Sequence, residues 1–465
     1  MIGKIPLKDD ATVKGFHADK DTLLLKKKHD WTKPMEEGPL DIGFINSYMT
    51  TGGIQNPPYA FIRNNVLDVP LNRIRFWEDS SYNRPNGISI IQTSGEGFDE
   101  WDSTSYNMIL VNETKAFLDG YTNNTGNPFF AYVALGAVHE PHSPPYKFLD
   151  GSQVAGSYGT AHMDVLLETD KVVGALTQAL QDRMLLEDTI IIFTSDNGGL
   201  GDQTNSAFFD HISNGLLRGQ KGQVYEGGIR VPLTFRWDNG EIPKGETRSH
   251  LIGLNDLYKT ICGLVGVGVP SNQAVDSINF AEYVLDKNNT SDLRKKQGAW
   301  SYENNRLNME ALRYNEMKLI RNYQTDQYKL YNLTADIGET NDISEGNEQL
   351  VSKMSRMLTR EGPCSDSKKK FEITKITNNE ISTMKKKCSW FKRNSKKRCR
   401  RFPEAQYMCT LTCSGPNKKL CTKDFLGQGN LMDRAQDDTD IKLILGITCP
   451  IAVCFLYFLM KQYIN

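Results

Sequence analysis

An apolar run that leads directly into a carboxylate and an amide constrains this chain more than any other feature. Residues 189–193 are β-branched and aromatic, which is typical of a buried strand. The run delivers Asp196 and Asn197, and the glycines that follow let the backbone turn away sharply. In an open α/β sheet, ligands bind at this carboxyl edge. The pair offers two hard oxygen donors, which suit Ca²⁺ or Mg²⁺ better than zinc.

Taken alone, Asp-Asn-Gly is also a common turn, so the order of the later motifs decides the interpretation. Lys221 follows 25 residues after Asp196, in a loop bounded by Gly219 and Gly222. Such a loop can place a point charge against an anion. A Glu-Gly-Gly-Ile-Arg-Val-Pro segment follows at residues 226–232. The sequence of motifs therefore favours a binding site over an isolated turn.

These motifs and several others, in the same order, resemble the sulfatase family, in particular the arylsulfatases, from Met1 to about Ile343. The further matching segments are Asp-Trp-Thr-Lys-Pro at 30–34, Pro-Pro-Tyr-Ala-Phe-Ile at 57–62, Pro-Phe-Phe-Ala-Tyr-Val at 128–133, His-Glu-Pro-His-Ser-Pro at 139–144, Leu-Tyr-Asn-Leu at 330–333 and Gly-Glu-Thr at 338–340. The resemblance implies an α/β fold of the alkaline-phosphatase and sulfatase type. Its sheet is expected to be mixed, mostly parallel and flanked by helices, with a small C-terminal antiparallel subdomain.

Four regions are expected along the chain. Residues 1–250 correspond to a sulfatase catalytic domain whose N-terminal part is missing, and residues 251–345 to its C-terminal subdomain. Residues 355–425 form a basic, cysteine-rich module, and residues 443–460 a transmembrane helix. The cysteine spacing in the module faintly resembles small ShK-like toxin domains.

The resemblance also implies a metal ion and an anion-binding lysine. In the family, a calcium ion neutralises the sulfate and the nucleophile, and Asp196 and Asn197 match two of its ligands. Lys221 matches the lysine that contacts the sulfate oxygens. The expected ligand is a sulfated small molecule or glycan, and the expected reaction is hydrolysis of an aryl or carbohydrate sulfate ester. One Ca²⁺ ion is expected, with an incomplete ligand set in this chain.

Two histidines compete for a catalytic role, and a second lysine joins the expected site. His142 has the Pro-His-x-Pro setting of the family's histidine, which assists the leaving oxygen. His139, three residues earlier, is the alternative. Lys4 matches a lysine near the nucleophile, although Pro6 stands where the family has a histidine. Proline offers no side-chain donor there.

One essential motif of the family is absent from this sequence. Sulfatases form their formylglycine nucleophile within Cys/Ser-x-Pro-x-Arg, whereas the look-alike at residues 414–418 has lysine in place of arginine. The paired aspartates that open the family fold are also absent, so we expect the chain to begin downstream of the nucleophile and to be inactive. The alternatives are a membrane-anchored pseudoenzyme that binds sulfated glycans, and a related phosphodiesterase or phosphatase. The latter would need zinc-type ligands, but Asn197 rather than a histidine follows Asp196.

Charge and cysteine placement bear on partners and compartment. The formal net charge of −1 argues against a nucleic-acid partner and leaves the oligomeric state open. Six cysteines between residues 364 and 421 indicate a disulfide-stapled unit rather than a zinc site. Together with five Asn-x-Ser/Thr sequons, they favour the secretory pathway or cell surface, provided that a missing N-terminus supplies a signal peptide.

The C-terminal apolar run gives the expected membrane partner. Residues 443–460 contain no charge and are just long enough to span a bilayer as a helix. A buried C-terminal helix is the alternative. The basic stretch at 385–401 is either solvated surface or, if folded, a patch that attracts an anionic glycan.

Overall fold

The computed structural model describes most of the chain up to residue 361 and three short strands beyond it. The described residues are 1–4, 30–35, 38–52, 54, 56–84, 88–124, 128–200, 212–286, 299–302, 309–322, 325–361, 370–377, 380–387 and 456–461. The cysteines of the predicted C-terminal module lie outside these residues, so the disulfide and ShK-like predictions stay predictions.

The strands, in chain order, are β1 (Ile2–Lys4), β2 (Tyr48–Thr50), β3 (Ile62–Arg63), β4 (Val66–Leu67), β5 (Ile74–Trp77), β6 (Ser80–Arg84), β7 (Ile88–Gln92), β8 (Gly95–Phe98), β9 (Phe130–Ala134), β10 (Thr189–Thr194), β11 (Leu233–Arg236), β12 (Ala299–Tyr302), β13 (Met309–Tyr314), β14 (Met317–Asn322), β15 (Gln327–Asn332), β16 (Lys370–Thr377), β17 (Glu380–Lys387) and β18 (Leu456–Lys461). The α-helices are α1 (Tyr106–Asn124), α2 (Ala161–Gln181), α3 (Glu226–Ile229), α4 (Leu257–Leu264), α5 (Ala281–Val284) and α6 (Glu348–Glu361).

Eight strands form the central sheet, in the order β11-β10-β18-β9-β1-β2-β3-β4. Strand β1 runs parallel to both β9 and β2. Because β18 is antiparallel to both β9 and β10, those two strands run in the same direction. The carboxyl ends of β1, β9 and β10 therefore meet at one edge of the sheet, which is the edge expected to carry the site.

Strand β10 is apolar along its length because helices cover both faces of the sheet. Ile191 packs on one face into a core that includes Val172 and Leu176 of α2. Ile190 and Ile192 are fully buried on the other face, in a core shared with α4 and α5. The result is a three-layer α/β arrangement that fixes the start of the loop carrying Asp196.

Helix α2 connects β9 to β10 and confirms the β-α-β unit predicted from the sequence. Its N-cap is Thr160, whose hydroxyl accepts a hydrogen bond from the Met163 amide at 3.2 Å. The strands that it joins are not neighbours, however, because β18 lies between them.

A smaller antiparallel sheet, β12-β13-β14-β15, confirms the expected C-terminal antiparallel unit. On one face it packs against α6, with Leu312, Leu319 and Leu330 meeting Met354 and Leu358. Its other face contacts the chain just before α3 through Ala311, Ile320 and Tyr331, which pack against Val224 and Tyr225. This second face brings the smaller sheet against the loop region of the expected site.

Two expectations about the central sheet and the C-terminus need correction. The sheet is mixed, as expected, but only two of the seven pairings among its described strands are parallel, so it is not mostly parallel. Within the predicted membrane helix at 443–460, residues 456–460 belong to strand β18, and residues 443–455 lie outside the described part of the chain.

The physical reason for the second difference is the lack of periodicity in that segment. A short apolar run fits a strand buried between two neighbours as well as it fits a helix. Strand β18 pairs along β10 from Leu456 opposite Thr194 to Lys461 opposite Thr189. Within the described residues, we find no helix with the length and hydropathy needed to span a membrane.

Candidate functional site

The loop after β10 is held by backbone contacts with α3. The Gly198 amide donates to the Gly228 carbonyl oxygen at 2.9 Å. A Cβ atom on Gly198 would overlap the carbonyl oxygen of Gly227, so only glycine allows this approach. Asp196 and Asn197, both half-buried, are thus presented from a loop whose path the backbone fixes.

Asn197 and Ser195 have local contacts that orient this loop. The Asn197 side-chain amide donates to the Gly198 carbonyl oxygen at 3.0 Å, which leaves its Oδ1 atom as the acceptor end. The Ser195 hydroxyl donates to the Asn197 carbonyl oxygen, also at 3.0 Å. Both contacts lie within the loop and help to fix its shape.

Lys221 reaches the same loop through its backbone. Its amide donates to the Gly199 carbonyl oxygen at 2.9 Å, and its side chain is partly exposed. Asn214 also bridges the two segments, accepting from the Gly199 amide at 2.9 Å and donating to the Gly219 carbonyl oxygen at 3.0 Å. Lys221 and the Asp196–Asn197 pair, 25 residues apart in sequence, therefore occupy adjacent loops.

The turn after β9 is tied to the interior of the protein by Asn107 on α1. Its Oδ1 atom accepts from the amides of Gly136, at 2.9 Å, and Ala137, at 3.4 Å. Its side-chain amide donates to Glu168 on α2 at 3.0 Å. Burial raises the pKa of Glu168 to about 8, and the hydrogen bond from Asn107 only partly opposes that rise. A buried carboxyl group thus supports the turn that leads to the two histidines.

The two candidate histidines differ in their surroundings. His139 is half-buried, and its Nδ1 atom lies 2.6 Å from the Glu140 carbonyl oxygen. His142 Nε2 lies 3.1 Å from His162 Nδ1. Burial, and then the charge of His162, lower the pKa of His142 to about 4. His142 is therefore a neutral imidazole at pH 7, able to accept or donate one hydrogen bond at each ring nitrogen as its tautomer dictates.

Lys4 ends β1, whose residues Ile2 and Gly3 pair with Val133 and Ala134 of β9. Its backbone thus lies at the same sheet edge as the two loops described above. Neighbouring strands are about 4.8 Å apart. β9 is therefore about 10 Å from β10, with β18 between them, and β1 is about 14 Å from it. The segments with the predicted site residues thus lie at one edge of the sheet: they follow β1, β9 and β10, and the Lys221 loop is hydrogen-bonded to the loop after β10.

The donor atoms present match calcium in kind but not in number. Asp196 and Asn197 supply one carboxylate and one amide oxygen, both hard donors, whereas calcium takes six to eight oxygen ligands. Among the residues that the structure describes, no group of three or more His, Cys, Asp and Glu side chains could hold a metal ion. These residues do not make a calcium site on their own.

Sequence reasoning missed three residues of this region. His162, Asn107 and Glu168 lie on helices, 20 to 61 residues away in sequence from the groups that they contact. No local pattern marks them, because their partners are set by how α1 and α2 pack on the sheet.

The Ser143–Lys147 segment beside His142 also has the Ser-x-Pro-x-Lys form, again with lysine at the arginine position of the formylglycine motif.

Two family models match this chain. The model described as Sulfatase matches residues 60–267, and the model described as N-sulphoglucosamine sulphohydrolase, C-terminal, matches residues 219–362. Together they extend over the central-sheet region from β3 through the smaller sheet and α6.

Curated relatives carry sulfatase names. An N-acetylgalactosamine-6-O-sulfatase of Bacteroides thetaiotaomicron is 28% identical over 274 residues, which is 56% of this chain and 51% of that protein. The human N-acetylgalactosamine-6-sulfatase is 35% identical over 159 residues, covering 34% of this chain and 29% of the human protein. The chain spans about half the length, or less, of these relatives.

Solved structures share the fold. A structure reported with the metabolism of multiple glycosaminoglycans by Bacteroides thetaiotaomicron aligns with a TM-score of 0.59 at 22% identity, over 72% of this chain and 76% of that one. Ps i-CgsB in complex with k-i-k-neocarrahexaose aligns with a TM-score of 0.52 at 22% identity, over 77% and 70%. The two family models together match residues 60–362, and over this part the chain belongs to the sulfatase family.

Proposed function

We propose that this chain carries the sulfate-binding part of a sulfatase site whose substrate is a carbohydrate sulfate ester. The hydrogen bond from the Lys221 amide to Gly199 is the observation that carries the proposal, because it sets a lysine beside the Asp196–Asn197 loop. A lysine ammonium is a compact donor that suits an oxyanion such as sulfate. The N-acetylgalactosamine-6-sulfatase names of several relatives favour a sugar over a phenol as the carrier of that group.

His142 is the first candidate for the histidine beside the sulfate, and its ring brings no positive charge there. With a pKa of about 4, its ring is neutral at pH 7 and does not add to the attraction of the sulfate. The Asn107–Glu168 pair positions the turn before it. His139 stays the second candidate for that histidine, since it lies on the same turn.

Calcium, when bound, would supply positive charge to neutralise a sulfate oxygen, and Asp196 and Asn197 would be two of its ligands. Fewer charged ligands lower calcium affinity. We therefore propose weak binding of Ca²⁺ by this chain.

We further propose that the chain binds but does not hydrolyse sulfate esters. Its sequence has no Cys/Ser-x-Pro-x-Arg motif to form the covalent nucleophile, and Pro6 takes the place of a histidine of the family. Loss of a covalent nucleophile typically lowers turnover by several orders of magnitude.

Turnover assays with N-acetylgalactosamine 6-sulfate and with an aryl sulfate test this part of the proposal. The purified full chain and its Lys221→Ala variant should release product at the same rate as buffer. Hydrolysis by the unmutated chain that disappears in Lys221→Ala would show that the chain has its own nucleophile and would overturn the proposal.

A further inference from the structure

Three charged side chains from three separate elements meet in the interior. They are Glu226 on α3, Lys318 on β14 and Glu339 in the turn after β15, and their side chains are 1%, 0% and 0% exposed. Lys318 Nζ donates to Glu226 Oε1 at 3.0 Å and lies 2.9 Å from Glu339 Oε1. We call these three residues the buried triad.

Burial of such charges is costly, and nearby cations oppose that cost. The second carboxylate oxygen of Glu226 lies 3.3 Å from Arg313 Nη1 and 3.5 Å from Arg230 Nη1. Burial raises the pKa of Glu339, and Lys318 is the main influence that lowers it. Apolar residues would fill the same space at less electrostatic cost, so the positions of these charges call for an explanation other than packing.

The backbone conformation of Glu339 also indicates a role other than packing. Its φ of 53° lies in the left-handed region, which disfavours every residue except glycine, asparagine and aspartate. A glycine would meet the demand of the backbone. Compared with glycine, Glu339 adds a carboxylate side chain, and this side chain is completely buried.

That side chain, and the backbone beside it, hold the loops of the candidate site. Glu339 Oε2 accepts from the Glu226 amide at 2.7 Å, at the start of α3. The Glu339 carbonyl oxygen accepts from Arg218 Nη1, also at 2.7 Å. Arg218 lies three residues before Lys221 and stacks on the Tyr225 ring at 4.2 Å.

Further backbone hydrogen bonds connect these two contacts to the loop with Asp196 and Asn197, the predicted calcium ligands. The Arg218 carbonyl oxygen accepts from the Gly227 amide at 2.7 Å, which joins the Lys221 loop to α3. The next residue of α3, Gly228, accepts from Gly198, two residues beyond Asp196. Each of these contacts is short and either joins backbone groups or is buried. A displacement of Glu226 or Glu339 would therefore also displace the Lys221 loop and the Asp196–Asn197 loop.

We propose that the buried triad is a positioning unit for the site: Lys318 and Glu339, both supplied by the C-terminal part of the chain, fix the loops that present Lys221 and Asp196–Asn197. The idea rests on the proposed function for the identity of the ligand. It assigns a role to the Gly-Glu-Thr segment at 338–340 and makes the smaller sheet part of the site's support.

Hydrogen exchange on the unmutated full chain tests, without any ligand, whether the loops open together with the smaller sheet. The amides of Gly198, Lys221, Glu226 and Gly227 should exchange with the same opening free energy as the amides of β14. Independent, faster opening of these four amides would overturn the proposal. This measurement needs neither a bound sulfate nor a variant.

A matched pair of variants tests the consequence for binding. Glu339→Gln keeps the shape and an acceptor oxygen but removes the charge. The control, Arg321→Met, breaks pairs with Glu310 of β13 and with Asp326 in the turn before β15. With inorganic sulfate as the probe, Glu339→Gln should weaken binding at least about tenfold and speed exchange at residues 217–228. Arg321→Met should change neither, whatever its effect on the melting temperature.

The outcomes separate the two proposals. Equal sulfate affinity in Glu339→Gln and the unmutated chain would show that the triad only stabilises the fold. If the unmutated chain binds no sulfate, the proposed function fails, while the exchange rates at residues 217–228 still decide the role of the triad. If Glu339→Gln does not fold, the exchange pattern of the unmutated chain decides it.

Discussion

The backbone amide of Lys221 donates to the carbonyl oxygen of Gly199 at 2.9 Å, three residues beyond Asp196. This single contact converts two motifs that are distant in sequence into neighbouring loops at the carboxyl edge of β10. Helix α3 contacts both loops, and the smaller antiparallel sheet packs against the chain just before α3.

Replacing Gly198 should harm both stability and the site. In Gly198→Ala the new methyl group would overlap the Gly227 carbonyl oxygen, which is backbone and has no flexible side chain to move aside. We expect a loss of about 1–3 kcal/mol in the free energy of unfolding, measured by chemical denaturation. Gly174→Ala is the control: it lies exposed on α2 with no atom within 4 Å of the added Cβ, and should stabilise by about 0.5–1 kcal/mol. Equal effects of the two changes would contradict the close approach of the loop and α3.

Glu168 should make stability depend on pH. Its pKa is raised from 4.5 to about 8 by burial, so its contribution to stability is fully present below pH 4.5 and is lost as the pH rises through about 8. Glu168→Gln mimics the protonated form and removes this loss. Its stability relative to the unmutated chain should therefore increase from pH 5 to pH 8, by about 2–3 kcal/mol at pH 7. A difference that stays constant over this range in denaturation experiments would count against a buried, protonated Glu168.

The pKa of His142 should respond to His162. NMR titration of the unmutated chain should place it at about 4, and His162→Ala should raise it only part of the way to 6.5, because burial is the larger cause. Since the folded state disfavours the proton, the stability due to neutral His142 is present above pH 6.5 and is lost as the pH falls toward 4. His250→Ala, at a histidine that packs on Tyr283, should leave the His142 titration unchanged. An unshifted pKa in His162→Ala would show that the two rings do not interact.

Strand β18 should be needed for the integrity of the central sheet. Deleting residues 456–465 removes the strand that pairs with both β9 and β10, and unpaired strand edges promote aggregation. We expect a lower melting temperature and a tendency to aggregate in light scattering. A deletion of residues 462–465 alone is the control and should behave like the full chain. A monomeric 1–455 chain with unchanged melting would contradict the placement of β18.

Parts of the architecture follow from local patterns and parts do not. The β-branched run of β10 and the apolar spacing of α2 predict those elements, because burial on one or both faces leaves a period in the sequence. The position of β18 could not be predicted, because an apolar run without a period fits a strand or a helix equally well. Its pairing with β9 and β10 joins segments more than 260 residues apart.

The residues of the site also divide into those that local patterns predict and those that they do not. Asp196, Asn197 and Lys221 could be proposed from their motifs because each lies beside glycines that shape a loop. His162, Glu168 and Lys318 could not, since their roles depend on contacts made across helices and between two sheets. Buried charged groups of this kind become visible only when the packing is known.

The most direct test of the sulfate site is calorimetric titration of the full chain with N-acetylgalactosamine 6-sulfate, with unsulfated N-acetylgalactosamine as the ligand control. Lys329→Ala, which removes a lysine of β15, is the protein control. We predict binding that requires the sulfate group, that is at least about tenfold weaker in Lys221→Ala, and that is unchanged in Lys329→Ala. Equal binding of the two sugars, or sulfate-dependent binding that Lys221→Ala leaves intact, would contradict a sulfate site at the carboxyl edge of β10.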